Sequence, residues 1–250
     1  MEREYSDHWN IRDLLGDLMG ASARTQPQPR DTIWASDLGK PYVDRWLEMK
    51  GVPYTNPATG KDLMRFFLGK QIEAGIESML TRCGLPFRSQ EKLSVEQEDC
   101  LPVVGQADLI LEIDDWGDLF KAVDAHRAQC EDRPGEHARW QALAKLLGLW
   151  NERSPQGLLP TVFEVKSLNS AAFRYHRGSD GLSNAYPHHR LQLYTYMRSL
   201  GLREGHLLYM ARDTGWMEEV VIRPSEALDA AWLKDVETMT HFYESDQRPP

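Results

Sequence analysis

Apolar residues recur at two different periods along this chain, and the switches between them divide it into elements. In "KDLMRFFLGKQIEAGIESMLTRCG" (61–84), Phe66, Ile72, Ile76, Met79 and Leu80 follow a spacing near 3.6 residues, which predicts a helix that Gly84 stops. "HWNIRDLLGDLM" has the same spacing, and the polar, proline-bearing "ASARTQPQPRD" follows it, so residues 1–31 read as a helical arm and connector. "TIWASDLGKPYVDRWLEMKG" predicts a short extended start, a cap at Ser36 or Asp37 and a helix ended by Gly51. "VVGQADLILEI" and "TVFEVKS" are rich in branched residues and short, as strands are. The segment between them, about 114–160, reads as a helical insertion, with two helices around an acidic turn broken by Pro134 and Gly135. "HHRLQLYTYMRSLG" predicts a helix, "EGHLLYMARDTGWMEEVVIRP" a hairpin around "RDTG", and "SEALDAAWLKDVETMTHFYES" a closing helix capped by serine. Together these predict an α/β fold, with a mixed sheet of about five strands flanked by helices in a single domain over 32–250.

Alternation along the strands brings in chemistry. Side chains of a strand point to opposite faces in turn, so Glu164 and Lys166 share one face while Phe163 and Val165 take the other. In "GQADLIL", Asp108 is a carboxylate among apolar neighbours. Two such strands side by side would bring Asp108, Glu164 and Lys166 to one sheet end. Paired carboxylates suit Mg²⁺ or Mn²⁺, and a nearby ammonium can orient or help deprotonate an attacking water. A Glu-x-Lys strand also suits a plain ion-pairing face, so the order of further residues has to decide.

Charge and composition refine this picture. The 250 residues are 41% hydrophobic and 27% charged, enough for one full core. The net charge of −9 argues weakly against a nucleic-acid partner, but its distribution argues the other way. From Glu91 to Arg133 there are twelve acidic and four basic residues, whereas Ser167 to Arg212 has two acidic residues, six arginines and four histidines. No apolar run of about 18 residues is present, and "MEREYSDHWN" lacks the pattern of a signal peptide, so the expected location is cytoplasmic, with no membrane. Cys83, Cys100 and Cys130 are far apart and odd in number, which fits neither a disulfide framework nor a zinc site.

Four short motifs then occur in order: Gly69-Lys70-Gln71-Ile72-Glu73 on a predicted helix, Gly105-Gln106-Ala107-Asp108 and Glu164-Val165-Lys166 on predicted strands, and Gln192-Leu193-Tyr194-Thr195-Tyr196 on a helix. Over roughly residues 34–220 the chain thereby resembles the RecB-like branch of the PD-(D/E)XK nuclease superfamily, phage-type exonucleases included. The resemblance implies a restriction-endonuclease-like core. It also implies that Asp108, Glu164 and the Val165 carbonyl bind metal, with Glu73 completing the shell, and that Lys166 acts on the water or on transition-state charge. Gln192 and Tyr196, four apart on one helix face, would touch DNA or brace the site. "SDLGKPYVDRW" looks like the place where some relatives carry the first cysteine of an iron–sulfur cluster, but no closing cysteine group follows, so no cluster is expected.

Between the lysine strand and the Gln-Tyr helix lie Arg174, His176, Arg177, His188, His189 and Arg190, expected to meet the phosphate backbone, with Tyr175 and Tyr186 placed to stack on unpaired bases. The acidic insertion is a candidate surface for a protein partner. The expected function is Mg²⁺- or Mn²⁺-dependent hydrolysis of DNA phosphodiester bonds by an exonuclease or end-processing enzyme of recombination, repair or phage DNA metabolism. The alternatives are a non-catalytic DNA-binding adaptor, an endonuclease or an RNA-cleaving enzyme.

Overall fold

A computed structural model describes residues 17–250 except 22, 24, 114, 154–157 and 177–184. Its centre is a mixed six-stranded sheet. The strands are β1 (Ile33–Trp34), β2 (Phe87–Val95), β3 (Val103–Ile113), β4 (Leu158–Leu168), β5 (Gly205–Ala211) and β6 (Met217–Ile222). The helices are α1 (Tyr42–Met49), α2 (Gly60–Arg82), α3 (Trp116–Gln129), α4 (Pro134–Arg153), α5 (Ser170–His176), α6 (Pro187–Leu200) and α7 (Glu226–Glu244). This is the α/β architecture that the sequence predicts, with one strand more. The additional strand is β2, "FRSQEKLSV", whose polar residues fall on both faces and so give no alternation to read.

The register of β3 creates the feature on which the rest depends. Along one edge β2 runs antiparallel to β3 from Val95↔Val103 to Phe87↔Leu111. The other edge is shared: β4 pairs antiparallel from Leu109↔Phe163 outward, and β1 pairs parallel at Ile33↔Val103 and Trp34↔Val104. Between those contacts β4 leaves β3 and continues as the parallel neighbour of β5, from Val162↔Gly205 to Leu168↔Ala211. The two strands therefore part immediately beyond Leu109 and Phe163, and Asp108 and Glu164 are the first residues past that fork.

Helix α6 covers the fork from one side. Every residue from Leu191 to Met197 is buried, because the sheet lies on one side of the helix and α7 on the other. Trp232 of α7, fully buried, donates its indole N–H to Thr195 Oγ1 at 2.9 Å. A charged clamp fixes α7 to α1: Arg45 reaches Asp235 through two bonds of 2.6 and 3.0 Å, and the Tyr42 ring packs under the guanidinium at 4.6 Å. A smaller apolar cluster of Trp116, Leu119, Val123 and Leu147 joins α3 to α4, the helical pair expected in the insertion.

Several local expectations are corrected. Helix α2 forms as its spacing predicts but lies at the surface: no residue of it is fully buried, Phe66 and Met79 are exposed, and Ile72, Ile76 and Leu80 are half-buried. A capping box between Thr59 and Asp62 starts this helix. Neither Ser36 nor Asp37 caps α1; residues Ala35–Asp37 form a 3₁₀ turn, and α1 begins after Pro41 without a side-chain cap. Asp37 is buried and accepts from Arg30 at 2.6 Å and Lys40 at 2.9 Å. Most of the predicted arm lies outside the described residues, which begin with a helical turn at 17–21. Among the described residues, no helix is long and apolar enough to cross a membrane.

Candidate active site

At the fork, main chain and side chain exchange partners. Beyond the last β3–β4 pair the Val165 N–H is donated to Asp108 Oδ2 at 2.8 Å, so the aspartate stands where a strand carbonyl would otherwise accept. On the next residue Lys166 turns its Nζ to Glu164 Oε1 at 2.6 Å, as two residues on one strand face can. Gln192, reaching down from α6, accepts from Lys166 Nζ at 2.9 Å and donates through Nε2 to Glu164 Oε1 at 2.7 Å and to the Tyr196 hydroxyl at 2.9 Å. Its partner Tyr196 lies one helical turn further along α6 and is almost fully buried.

This leaves Glu164 half satisfied. Oε1 accepts two bonds, while Oε2 is buried and has no hydrogen-bond partner among the described protein atoms. Glu164 is 2% exposed and Asp108 8%. Burial pushes the Glu164 carboxyl up to about 8; the Lys166 ammonium opposes this and the Asp108 charge adds to it. Burial raises Asp108 too, followed by the charge of Glu73, while the Val165 N–H and Lys166 pull the other way. Burial likewise raises Tyr196, with the Glu164 charge as the next cause, so its hydroxyl stays protonated.

Glu73 enters from α2. Its Oε2 accepts from Lys70 Nζ at 2.6 Å and from Gln90 Nε2 at 3.3 Å. The same Gln90 amide lies 3.5 Å from Asp108 Oδ1, and its Oε1 is 3.4 Å from Lys70 Nζ. Gln90 has φ 52 in the middle of β2. For a residue with a β-carbon that conformation costs about 1–3 kcal/mol and persists only where the surroundings enforce it. Gly105 is needed for another reason: a β-carbon there would lie 2.9 Å from the Ala35 Cβ and 2.7 Å from the Tyr196 ring.

These groups line an open cleft of about 960 Å³. Its wall contains Glu73, Asp108, Glu164, Val165, Lys166, Gln192 and Tyr196, so the four sequence motifs converge on one place. Among the described residues no three His, Cys, Asp or Glu side chains are drawn together as a ready-made metal cage. The donor set nevertheless fits a hard divalent cation that retains waters and uses one or two carboxylates: an orphaned buried oxygen on Glu164 beside the Asp108 carboxylate. A cation there would favour the charged form of both acids, against the effect of burial.

Of the expected phosphate-contacting residues, His189 and Arg190 stand outside the cleft wall. The His189 ring meets the Tyr209 hydroxyl through Nδ1 at 2.8 Å, and Tyr186 packs edge-on to that ring at 5.1 Å. Arg190 is exposed on the first turns of α6, and neither it nor His189 is part of the cleft wall. Arg174 falls within α5, Tyr175 and His176 follow it there, and Arg177 lies outside the described residues. The basic groups in the wall are instead Lys70, Lys92 and Lys166. Two aromatics stand beside them: Trp34 is 46% and Phe66 67% exposed, and the Arg30 guanidinium stacks on Trp34 at 4.3 Å. Phe66, Lys70 and Glu73 are spaced i, i+4, i+7, and that single helix face was the sequence signal for a cleft-lining set. Trp34 and Gln90 gave no comparable signal.

No protein-family model and no curated protein matches the sequence. Among solved structures, the chain is similar to the crystal structure of SSO0001, with 16% identity and a TM-score of 0.48 over 95% of this chain and 88% of that one. It is also similar to LHK-Exo, an alkaline exonuclease from Laribacter hongkongensis, with 11% identity and a TM-score of 0.47 over 87% and 90% of the two chains. For LHK-Exo in complex with dAMP the values are 11% and 0.43, over 94% of each chain.

Proposed function

We propose that this chain is a Mg²⁺- or Mn²⁺-dependent nuclease that hydrolyses DNA phosphodiester bonds, acting at DNA ends. The observation that carries this reading is the partnerless buried Oε2 of Glu164 in an open cleft beside Asp108 and Lys166. A buried carboxylate oxygen without a donor is costly, and a bound cation removes that cost. Asp108, Glu164 and the Val165 carbonyl would hold the metal, with Glu73 completing the shell. When bound, the metal supplies Lewis-acid polarisation of a phosphoryl oxygen and a more acidic water.

The chain's own groups do the rest. Lys166, fixed between Glu164 and Gln192, holds a positive charge at the cleft surface, where charge builds up on the scissile phosphate. Gln192 and Tyr196 keep that lysine and Glu164 in register, and contact with DNA falls to groups further out. Lys70 and Lys92 attract the phosphate backbone, and Trp34 and Phe66 offer faces on which unpaired bases stack. Arg174, Arg177, His189 and Arg190 would also meet the phosphate backbone. The α3–α4 pair, with its separate small core, is the place for a protein partner.

The test is incubation with end-labelled linear single-stranded, linear duplex and closed circular DNA in Mg²⁺, Mn²⁺ or chelator, with Lys166→Ala in parallel. The expected result is metal-dependent loss of linear but not circular DNA, abolished in the variant. Cleavage of circles would make it an endonuclease. If all DNA stays intact and RNA is cut, the substrate assignment is wrong; if neither is cut, the enzyme assignment is.

A further inference from the structure

We infer that Gln90 is a positioning residue: its amide holds Glu73 and Asp108 side by side ahead of cation binding, and its left-handed backbone is retained for that task. The inference rests on the nuclease reading, because it concerns the same cleft.

The β2–β3 ladder keeps one register throughout, with a single interruption. Ser89 pairs with Leu109 and Glu91 with Ala107, but the intervening pair, Gln90 with Asp108, is not made. No residue is inserted at this point; the register on either side is the same. What changes is the backbone of Gln90, at φ 52, a region that favours glycine and that a regular strand never needs. Gln106, the β3 partner of Lys92, donates its side-chain amide to the Gln90 carbonyl at 2.7 Å and secures the turned peptide.

The turn delivers one amide to two carboxylates from different elements. Nε2 lies 3.3 Å from Glu73 Oε2 and 3.5 Å from Asp108 Oδ1. Asp108 needs little help, since it is buried and accepts the Val165 N–H. Glu73 does, because it stands on α2, none of whose residues is fully buried, so its side chain, though only 15% exposed, is held by polar contacts and not by core packing. Lys70 also grips Glu73, at 2.6 Å, but it is the i, i+3 neighbour on the same helix and is itself 61% exposed, so that pair ties Glu73 to α2 and not to the sheet. Gln90 is the contact that draws Glu73 inward, towards Asp108. Both of its bonds are long, so the amide orders the acids without saturating them and leaves their oxygens available to a cation.

Two substitutions separate the amide from the backbone. Gln90→Met keeps the length and the strained conformation but lacks the amide. Gln90→Gly lacks the amide and accepts the left-handed backbone without strain. Mn²⁺ affinity is measured for both by calorimetry, beside the wild type and Asp108→Ala, and melting temperature is measured in chelator. Both variants should bind Mn²⁺ more weakly than the wild type, on the order of tenfold, as with other residues that orient metal ligands. In chelator, Gln90→Gly should melt no lower than the wild type and above Gln90→Met. Wild-type affinity in both variants would overturn the positioning role, and a glycine variant that melts below Gln90→Met would overturn the strain argument. If the wild type itself binds no Mn²⁺, the nuclease reading falls as well; if it binds and only the Gln90 variants behave like it, the failure is confined to Gln90.

Discussion

Tyr196 packs so closely on Gly105 that an added β-carbon would stand 2.7 Å from its ring and 3.1 Å from its hydroxyl. The same hydroxyl accepts from Gln192, which in turn holds Glu164 and Lys166. A methyl group on β3 is thereby felt at Lys166. Gly105→Ala is expected to cost about 1–3 kcal/mol, as overpacking does, and to lower turnover well beyond what the stability loss explains. Tyr196→Phe removes only the hydroxyl; it should cost about 1 kcal/mol and reduce turnover mildly. Chemical denaturation and single-turnover cleavage, run on both, check the ordering.

The raised carboxyl of Glu164 gives the metal-free protein a pH dependence of definite sign. Its folded value of about 8 exceeds the ordinary 4.5, so the folded chain binds that proton more tightly than the unfolded chain. The stabilisation is complete below 4.5 and is lost as pH rises through about 8. In chelator the melting temperature should therefore fall across that window, and Glu164→Gln should flatten the slope. Added Mn²⁺ should restore stability most at the alkaline end, where no proton has to be displaced. Thermal melts at matched ionic strength decide this.

Trp34 and Phe66 are exposed, so shortening either should leave folding within about 0.5 kcal/mol of the wild type. If they stack on unpaired bases, Trp34→Ala and Phe66→Ala each weaken single-stranded DNA binding by about 1–3 kcal/mol. Blunt duplex binding should change far less. Fluorescence anisotropy with labelled oligonucleotides in chelator measures both affinities without cleavage.

Neither Arg45 nor Asp235 lines the cleft, so the clamp between them yields a stability prediction alone. Asp235→Ala strands a guanidinium that is 2% exposed, at an expected cost of about 3–5 kcal/mol. Replacing both residues by apolar ones of similar volume should cost much less. Urea denaturation of the single and double variants separates the two.

The sequence disclosed the site through order and period rather than through any one residue. β3 and β4 were legible because branched residues surround Asp108 and Glu164, and the shared face of Glu164 and Lys166 followed from alternation. Strand β2 was not, because "FRSQEKLSV" is solvated where a strand pattern needs apolar residues, and it is held by its ladder to β3. Gln90 was hidden with it, since a backbone turned by its neighbours leaves no trace in composition. Helix α2 is the reverse case: its apolar spacing is helical, but Ile72, Ile76 and Leu80 are only half-buried, Met79 is exposed, and Phe66 stands in the cleft wall. Trp34 was invisible because a two-residue strand has no period at all.

The shared edge of β3 has a consequence for how the chain matures. β1 comes from the beginning of the described fold, and β4 follows it by more than a hundred residues of sequence, yet both must dock on one edge before the gap between them exists. Helix α6, which supplies Gln192, comes later still. Contacts so distant along the chain carry a large loop-closure cost and make folding slow. On the nuclease reading, hydrolytic competence thus comes only with the completed fold, after the helix that carries Gln192 and Tyr196 has docked.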